Sequence, residues 1–396
     1  MEIWKRNLYV CWFGVFAASA GLSQITPVLP LYIDLLGVHD IAEIERWSGI
    51  AFGVTFVVMA VVSPIWGHAA DKYGRKPMLL RASLGMAVVI TCMGFAQDVY
   101  QLVGLRLIMG AISGFISASI TLVATQTPAE RSGWALGTLS TGSVGGMLLG
   151  PLIGGYLADT MGLRSVFLAT GSLLFVAFLA SLLFIREEFT PSENKLPGLR
   201  EVWRMLPNPR ILTAMFVTTL IMQMALMSIQ PIITVYIARL SEDTGHVALI
   251  AGLVFAASGF ASMLAAPWLG RLSDAVGHHK VILLALLASG LLYLPQAFVD
   301  NAWQLMGLRF LLGIATAGLL PAINSLVKQA SPAEIAGRVF GYNQSAQFLG
   351  AFGGSIVGGQ LAALWGVEYV FFFTGALLLL NAGWVYQRIY RSCSNG

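Results

Sequence analysis

The chain has little charge. Asp, Glu, Lys and Arg together make up 11% of its 396 residues. A soluble domain carries about 25%, so most of this surface does not meet water. Cysteine is scarce. Cys11 and Cys92 fall in apolar runs and Cys393 in the last residues, with no CxxC pair. That pattern excludes a disulfide framework and a thiolate metal site. Histidine is scarce as well: His39, His68, His246, His278 and His279 lie in loops without metal-ligand spacing. There is no GxxxxGK[ST] phosphate loop, no HExxH pair and no GxSxG nucleophile elbow. No segment is long enough for a nucleotide-binding domain. The reading is therefore not an enzyme, with no metal and no cofactor. The net charge of +4 comes from basic residues spread between apolar runs, so no nucleic-acid partner is expected.

Hydrophobic length is abundant. Apolar residues make up 57% of the chain. The apolar runs fall near 8–33, 47–66, 78–97, 101–126, 134–157 and 165–185, then 211–238, 247–269, 281–299, 303–327, 339–362 and 369–388. Each approaches the roughly 20 residues that cross a hydrocarbon layer as a helix. The expectation is an all-α integral membrane protein with twelve transmembrane helices in two pseudo-symmetric six-helix bundles. Residues 1–185 form the first bundle, 186–210 a polar cytoplasmic linker, and 211–396 the second bundle with a short tail. Trp4-Lys5-Arg6-Asn7 opens like a signal peptide, but the long run after it reads as a retained first helix.

The two halves repeat. Gly104-Leu105-Arg106 returns as Gly307-Leu308-Arg309, and Asp71 and Gly74 return as Asp274 and Gly277, all 203 positions later. Pro128-Ala129-Glu130 returns as Pro332-Ala333-Glu334, and Gly154-Gly155 as Gly358-Gly359, 204 positions later. Parallel duplication of a six-helix unit is a carrier architecture, with the substrate held between the halves near the midplane. Charge sets the orientation. Threading the chain with both termini on one side puts 18 basic residues there, Arg81 among them, against Arg46, Arg164 and Arg239 on the other. Both termini are therefore expected in the cytoplasm.

Three stretches suggest a mechanism. The segment after the second run, Gly67-His68-Ala69-Ala70-Asp71-Lys72-Tyr73-Gly74-Arg75-Lys76-Pro77, reads as a glycine turn carrying an acid and several bases. Such a loop suits charge-based locking of a cytoplasmic face; its plainer reading is a positive anchor. The fifth run carries Gly146, Gly150, Pro151, Gly154 and Gly155, small residues that let helices approach closely around a proline bend. The fourth carries Arg106 on one helical face with Gly110, Ser113, Ser117 and Thr121. An intramembrane arginine faces a cavity or a partner, or else snorkels to the headgroups.

These stretches resemble the signature motifs of the major facilitator superfamily, in particular its twelve-helix drug:proton antiporters. The resemblance covers the whole chain and implies a gating loop at Gly67, Asp71, Gly74, Arg75 and Lys76. It implies an antiporter motif at Gly146, Gly150, Pro151, Gly154 and Gly155, and proton coupling through Arg106. Many such antiporters hold a deep acid in the first-half cavity. Here all 19 acids thread into loops or helix ends, and Asp34, if partly desolvated, is the nearest candidate partner for Arg106. The expected cavity residues are Gln24, Ser113, Ser117, Gln223, Gln230, Asn324, Tyr342, Asn343 and Gln347. Met215, Met222, Met224 and Met227 add an adaptable surface.

The functional expectation is a monomeric secondary active transporter of a bacterial inner membrane, in contact with the lipid bilayer, small-molecule drugs and protons. It would export antimicrobial drugs by alternating access. Arginines without a carboxylate in the cavity favour neutral or anionic cargo. The competing expectation is an importer or symporter of a small organic anion or nutrient.

Overall fold

The computed structural model describes residues 2–187, 189, 203, 205, 209–241, 245–332 and 335–390. Most of the expected linker, the Ala333-Glu334 pair, and the tail with Arg391 and Cys393 lie outside the described residues. Within them the chain is helical, with no strand. The helices are α1 (Ile3–Leu35), α2 (Ile41–Tyr73), α3 (Arg75–Met93), α4 (Val99–Ile112), α5 (Phe115–Gln126), α6 (Ser132–Met161) and α7 (Leu163–Phe184). They continue with α8 (Pro209–Ile229), α9 (Ile233–Leu240), α10 (Val247–Val276), α11 (His278–Tyr293), α12 (Ala302–Thr316), α13 (Leu319–Gln329), α14 (Ala336–Trp365) and α15 (Val367–Val385). Twelve stretches among the described residues are long and apolar enough to span a membrane. Three of them join two helices each: Val99–Gln126, Pro209–Leu240 and Ala302–Gln329.

The helices outrun the apolar stretches because the connections are minimal. Gly74 (φ +92°) alone separates α2 from α3, and Gly162 (φ +85°) alone separates α6 from α7. Gly277 and Gly366, both at φ +101°, do the same before α11 and α15. Only glycine enters this region without steric cost, so each reversal needs one residue. Longer connections carry capped helix starts. Asp98 accepts the Gln101 amide at 2.8 Å ahead of α4, and Asn301 accepts the Gln304 amide at 2.9 Å ahead of α12.

The segment 67–77, expected as a loop, is nearly all helix. Gly67 and Asp71 belong to the last turns of α2, Arg75 and Lys76 to the first turn of α3, and Gly74 is the whole turn. The fourth span, expected as one helix, breaks at Ser113–Gly114, where Gly114 takes φ +132°. The break divides the face expected to join Arg106 to Thr121. Arg106, Gly110 and Ser113 are buried, Ser117 is exposed and Thr121 half-buried. Arg81, counted among the cytoplasmic-side charges, sits inside α3.

The residues form two compact units. One comprises Met1–Asp40, Val57–Glu193 and Glu242–Ala256; the other comprises Ile41–Phe56, Asn194–Ser241 and Ala257–Gly396. In the first, α1 packs along α6 and α7, and α3 along α7; in the second, α8 packs along α14 and α15, and α11 along α15. Buried polar contacts repeat at the sequence offset. The Gln24 amide donates to the Thr170 hydroxyl in the first unit, and Ser228 pairs with Thr374 at 2.7 Å in the second. Tyr32 donates to the Met93 carbonyl at 2.7 Å, and Tyr236 to the Gln296 carbonyl at 3.1 Å. The same backbone plan is thus stabilised twice by independently placed side chains.

Candidate functional site

The α2–α3 turn is an electrostatic knot. Arg75 donates to Asp71 at 2.7 Å, one helical turn back. The first turn of α3 has no side-chain cap of its own, since Gly74 occupies the cap position. Glu187 supplies one from beyond α7. Its carboxylate accepts the Arg75 amide at 2.8 Å and the Lys76 amide at 2.6 Å. Lys76 Nζ returns the contact, donating to the carbonyls of Leu182 (3.1 Å) and Ile185 (2.7 Å) at the C-terminal end of α7. Acid at a helix start and base at a helix end both complement the helix dipole. Gly67 faces open space. In the second copy the turn carries Ser273 bonded to His278 at 2.7 Å, with Asp274 4.0 Å from that ring.

The glycines of α6 form a seam with α1. A methyl group at Gly146 would lie 2.5 Å from the Phe16 carbonyl oxygen and 2.7 Å from the Ala20 amide nitrogen. At Gly154 it would lie 2.5 Å from the Gln24 carbonyl oxygen, and at Gly150 it would meet Ser23 and Ala20. Gly155 faces the other way, against Ala248 of α10, while Gly252 of α10 meets the Pro151 carbonyl. The second unit repeats the seam: Gly350, Gly354 and Gly358 meet the backbone of Leu220, Met224 and Ser228, and Gly359 meets Glu45 and Gly49 of α2.

Arg106 is 5% exposed in α4. Asp34 is not desolvated: its side chain is 54% exposed and bonds His39 at 2.8 Å. Gln24 is 3% exposed and committed to Thr170, so it holds α1 to α7 and does not line an open cavity. Ser113 is also buried, its hydroxyl bonded to the Met109 carbonyl at 2.7 Å. Ser117 is exposed. Gln223, Gln230, Asn324, Tyr342 and Gln347 are half-buried, and Asn343 is 1% exposed. The structure brings Asn324 and Asn343 together at 3.4 Å, and Thr219 donates to Asn343 at 2.9 Å. Met215 and Met222 are core residues, and Met224 and Met227 are half-buried.

Several residues escaped the sequence reading. Trp66 donates to the Ala111 carbonyl at 2.7 Å, and Arg81 donates to the Ser113 carbonyl at 3.2 Å while stacking on the Trp66 ring at 3.5 Å. Together they satisfy carbonyls released where α4 ends. Glu45, threaded as a helix-end acid, is 1% exposed and pairs with Arg239 at 3.2 Å. Asp159 accepts the Leu249 amide at 2.9 Å in the first turn of α10.

The paired seams and duplicated turns have a counterpart among known families: residues 11–241 and 215–392 both match the profile of the Major Facilitator Superfamily. The chain belongs to the major facilitator superfamily. Among curated proteins it is 47% identical over 389 residues to the multidrug resistance protein MdtG of Salmonella typhimurium. That match covers 98% of this chain and 96% of the relative. MdtG of Salmonella arizonae matches to the same extent. A bacterial homolog of the human lysosomal transporter Spinster, solved in an inward-facing, unoccupied conformation, shares the fold at TM-score 0.81 and 14% identity. It covers 98% of this chain and 97% of its own. The human organic anion transporter MFSD10 shares it at TM-score 0.71 and 16% identity, covering 97% and 100%. The chain is thus a multi-pass major facilitator membrane protein and not an enzyme.

Proposed function

We propose that this chain is a multidrug exporter of a bacterial inner membrane, driven by proton antiport. The observation that carries this reading is its 47% identity to MdtG across 98% of the chain. In this reading the duplicated halves 1–185 and 211–396 work by alternating access, the protein acts as a monomer, and both termini and the linker are cytoplasmic. The α2–α3 turn works as the gate, with Gly67, Asp71, Gly74, Arg75 and Lys76 as its parts. The α1–α6 glycine seam gives the antiporter helix its close fit. Arg106 takes the coupling role, with Asp34 as the acid to test. Ser117, Gln223, Gln230, Asn324, Tyr342 and Gln347 face the cargo. The buried positive charge of Arg106 favours neutral or anionic drugs, so a lipophilic cation such as ethidium is expected to be poor cargo.

Inverted vesicles with an acid lumen and a fluorescent pH reporter test this. An antiporter moves drug inward and protons outward, so adding substrate alkalinises the lumen; a symporter acidifies it. Arg106→Ala is expected to abolish the response. Asp34→Asn abolishes it only if Asp34 carries the proton. Acidification, or strong ethidium transport dependent on the intact protein, would contradict the proposal.

A further inference from the structure

The repeat supplies a criterion for function. Contacts present in both copies, such as the tyrosine bonds and the glycine seams, hold the common backbone plan. A buried polar contact present in one copy only is not required by that plan. The Thr219–Asn343–Asn324 chain is of this second kind. Its counterparts 204 residues earlier are Val15, Leu139 and Ile120, none of them polar. Val15 and Leu139 are each 1% exposed, so the plan accepts apolar side chains at both buried positions.

The chain has a direction. Thr219, fully buried in α8, donates its hydroxyl proton to Asn343 Oδ1 at 2.9 Å. With its carbonyl occupied, Asn343 donates through Nδ2 to Asn324 Oδ1 at 3.4 Å. The Asn324 carbonyl is then engaged as well, which leaves its two N–H groups for another acceptor. Asn324 is half-buried in α13. An amide at membrane depth is costly against hydrocarbon, which favours a water-filled path on its exposed side. Lys328, exposed one turn further along α13, lies on the same face and adds positive charge.

We infer that Asn324 is a cargo-contacting residue whose N–H groups bind an acceptor oxygen of an organic anion, and that Asn343 and Thr219 are positioning residues that fix which end of the amide it presents. This rests on the export reading above and deepens it by naming the chemistry that one wall recognises. The long Asn343–Asn324 link lets the donor shift to meet cargo of different shapes, while the buried Thr219 link stays fixed.

The test uses the full-length protein in inverted vesicles, with carboxyfluorescein and salicylate as anions, chloramphenicol as a neutral drug and ethidium as a cation. Asn324→Asp turns a donor into an acceptor and is expected to raise the anion KM about tenfold or more, with chloramphenicol little changed. Asn324→Gln, which keeps the N–H groups, retains part of the affinity. Thr219→Val and Asn343→Leu, close to the residues of the first copy, are expected to raise the anion KM about threefold to tenfold with kcat near wild type. Thr219→Val adds little on an Asn324→Asp background, because both act through one donor. Thermal unfolding separates folding from recognition. An unchanged anion KM in Asn324→Asp, or an equal loss for all four probes, overturns this inference and leaves the export reading standing. A wild-type protein that exports neither anion overturns the anion preference and this inference with it.

Discussion

Glu187 shows how one side chain links three segments. It caps α3 through two backbone amides while Lys76 grips the end of α7. Charged acceptors at helix starts contribute about 1 kcal/mol. Glu187→Ala is therefore expected to lower the thermal midpoint in detergent more than Glu187→Gln, which keeps an acceptor oxygen. The sequence did not show this contact, because Glu187 follows the apolar run of α7 and reads as part of the polar linker 186–210. The missing signal was available at the other end: Gly-Arg-Lys opens α3 with no capping side chain. Gln24 misled in the opposite sense. A glutamine within an apolar run reads as a cavity residue, yet Gln24 is buried and donates to Thr170, 146 positions away. Arg81 was hidden because a basic residue near a helix end fits the positive-inside pattern whether or not it stacks on an indole.

At the scale of helices, the glycines fall into two classes with opposite expected behaviour. Gly146 and Gly350 touch the backbone of a neighbouring helix, so Gly146→Leu and Gly350→Leu are expected to prevent folding, read as loss of the monodisperse peak in size exclusion. Gly67 has nothing near it and sits within α2. Gly67→Ala should hold or raise stability by about 0.5–1 kcal/mol. A transport defect in that variant, with stability intact, would isolate a gating role from a packing role. The break at Gly114 belongs to the same scale. Its φ of +132° is one that a side chain resists, at a cost of about 1–3 kcal/mol, so Gly114→Ala is expected to destabilise the first unit. Length and hydropathy made the spans legible. They did not reveal this break, because a single glycine in an apolar run looks like any other small residue until the Ala111 and Ser113 carbonyls before it find Trp66 and Arg81.

For the whole molecule, the duplication was the most legible feature, since the offsets of 203 and 204 read directly from residue identities and return as matched contacts in each unit. Substitutions at matched scaffold positions should therefore behave alike: Tyr32→Phe and Tyr236→Phe are expected to give similar losses of thermal midpoint. Orientation is tested by single cysteines in a cysteine-free background. Glu2→Cys and Met161→Cys replace exposed residues, with a 60% exposed side chain at Glu2 and 70% exposure at Met161. A membrane-impermeant maleimide should reach them from opposite faces, with Glu2→Cys labelled only from inside the cell.

The four one-residue reversals at Gly74, Gly162, Gly277 and Gly366 have a mechanical corollary. A joint of one residue has no slack, so the helices it links cannot drift apart at that end. Each such pair must swing as a fork with a welded base, tines free only at the far side. Lengthening any one of these joints with a short flexible insert should loosen the fork, and would let the stroke idle without moving cargo.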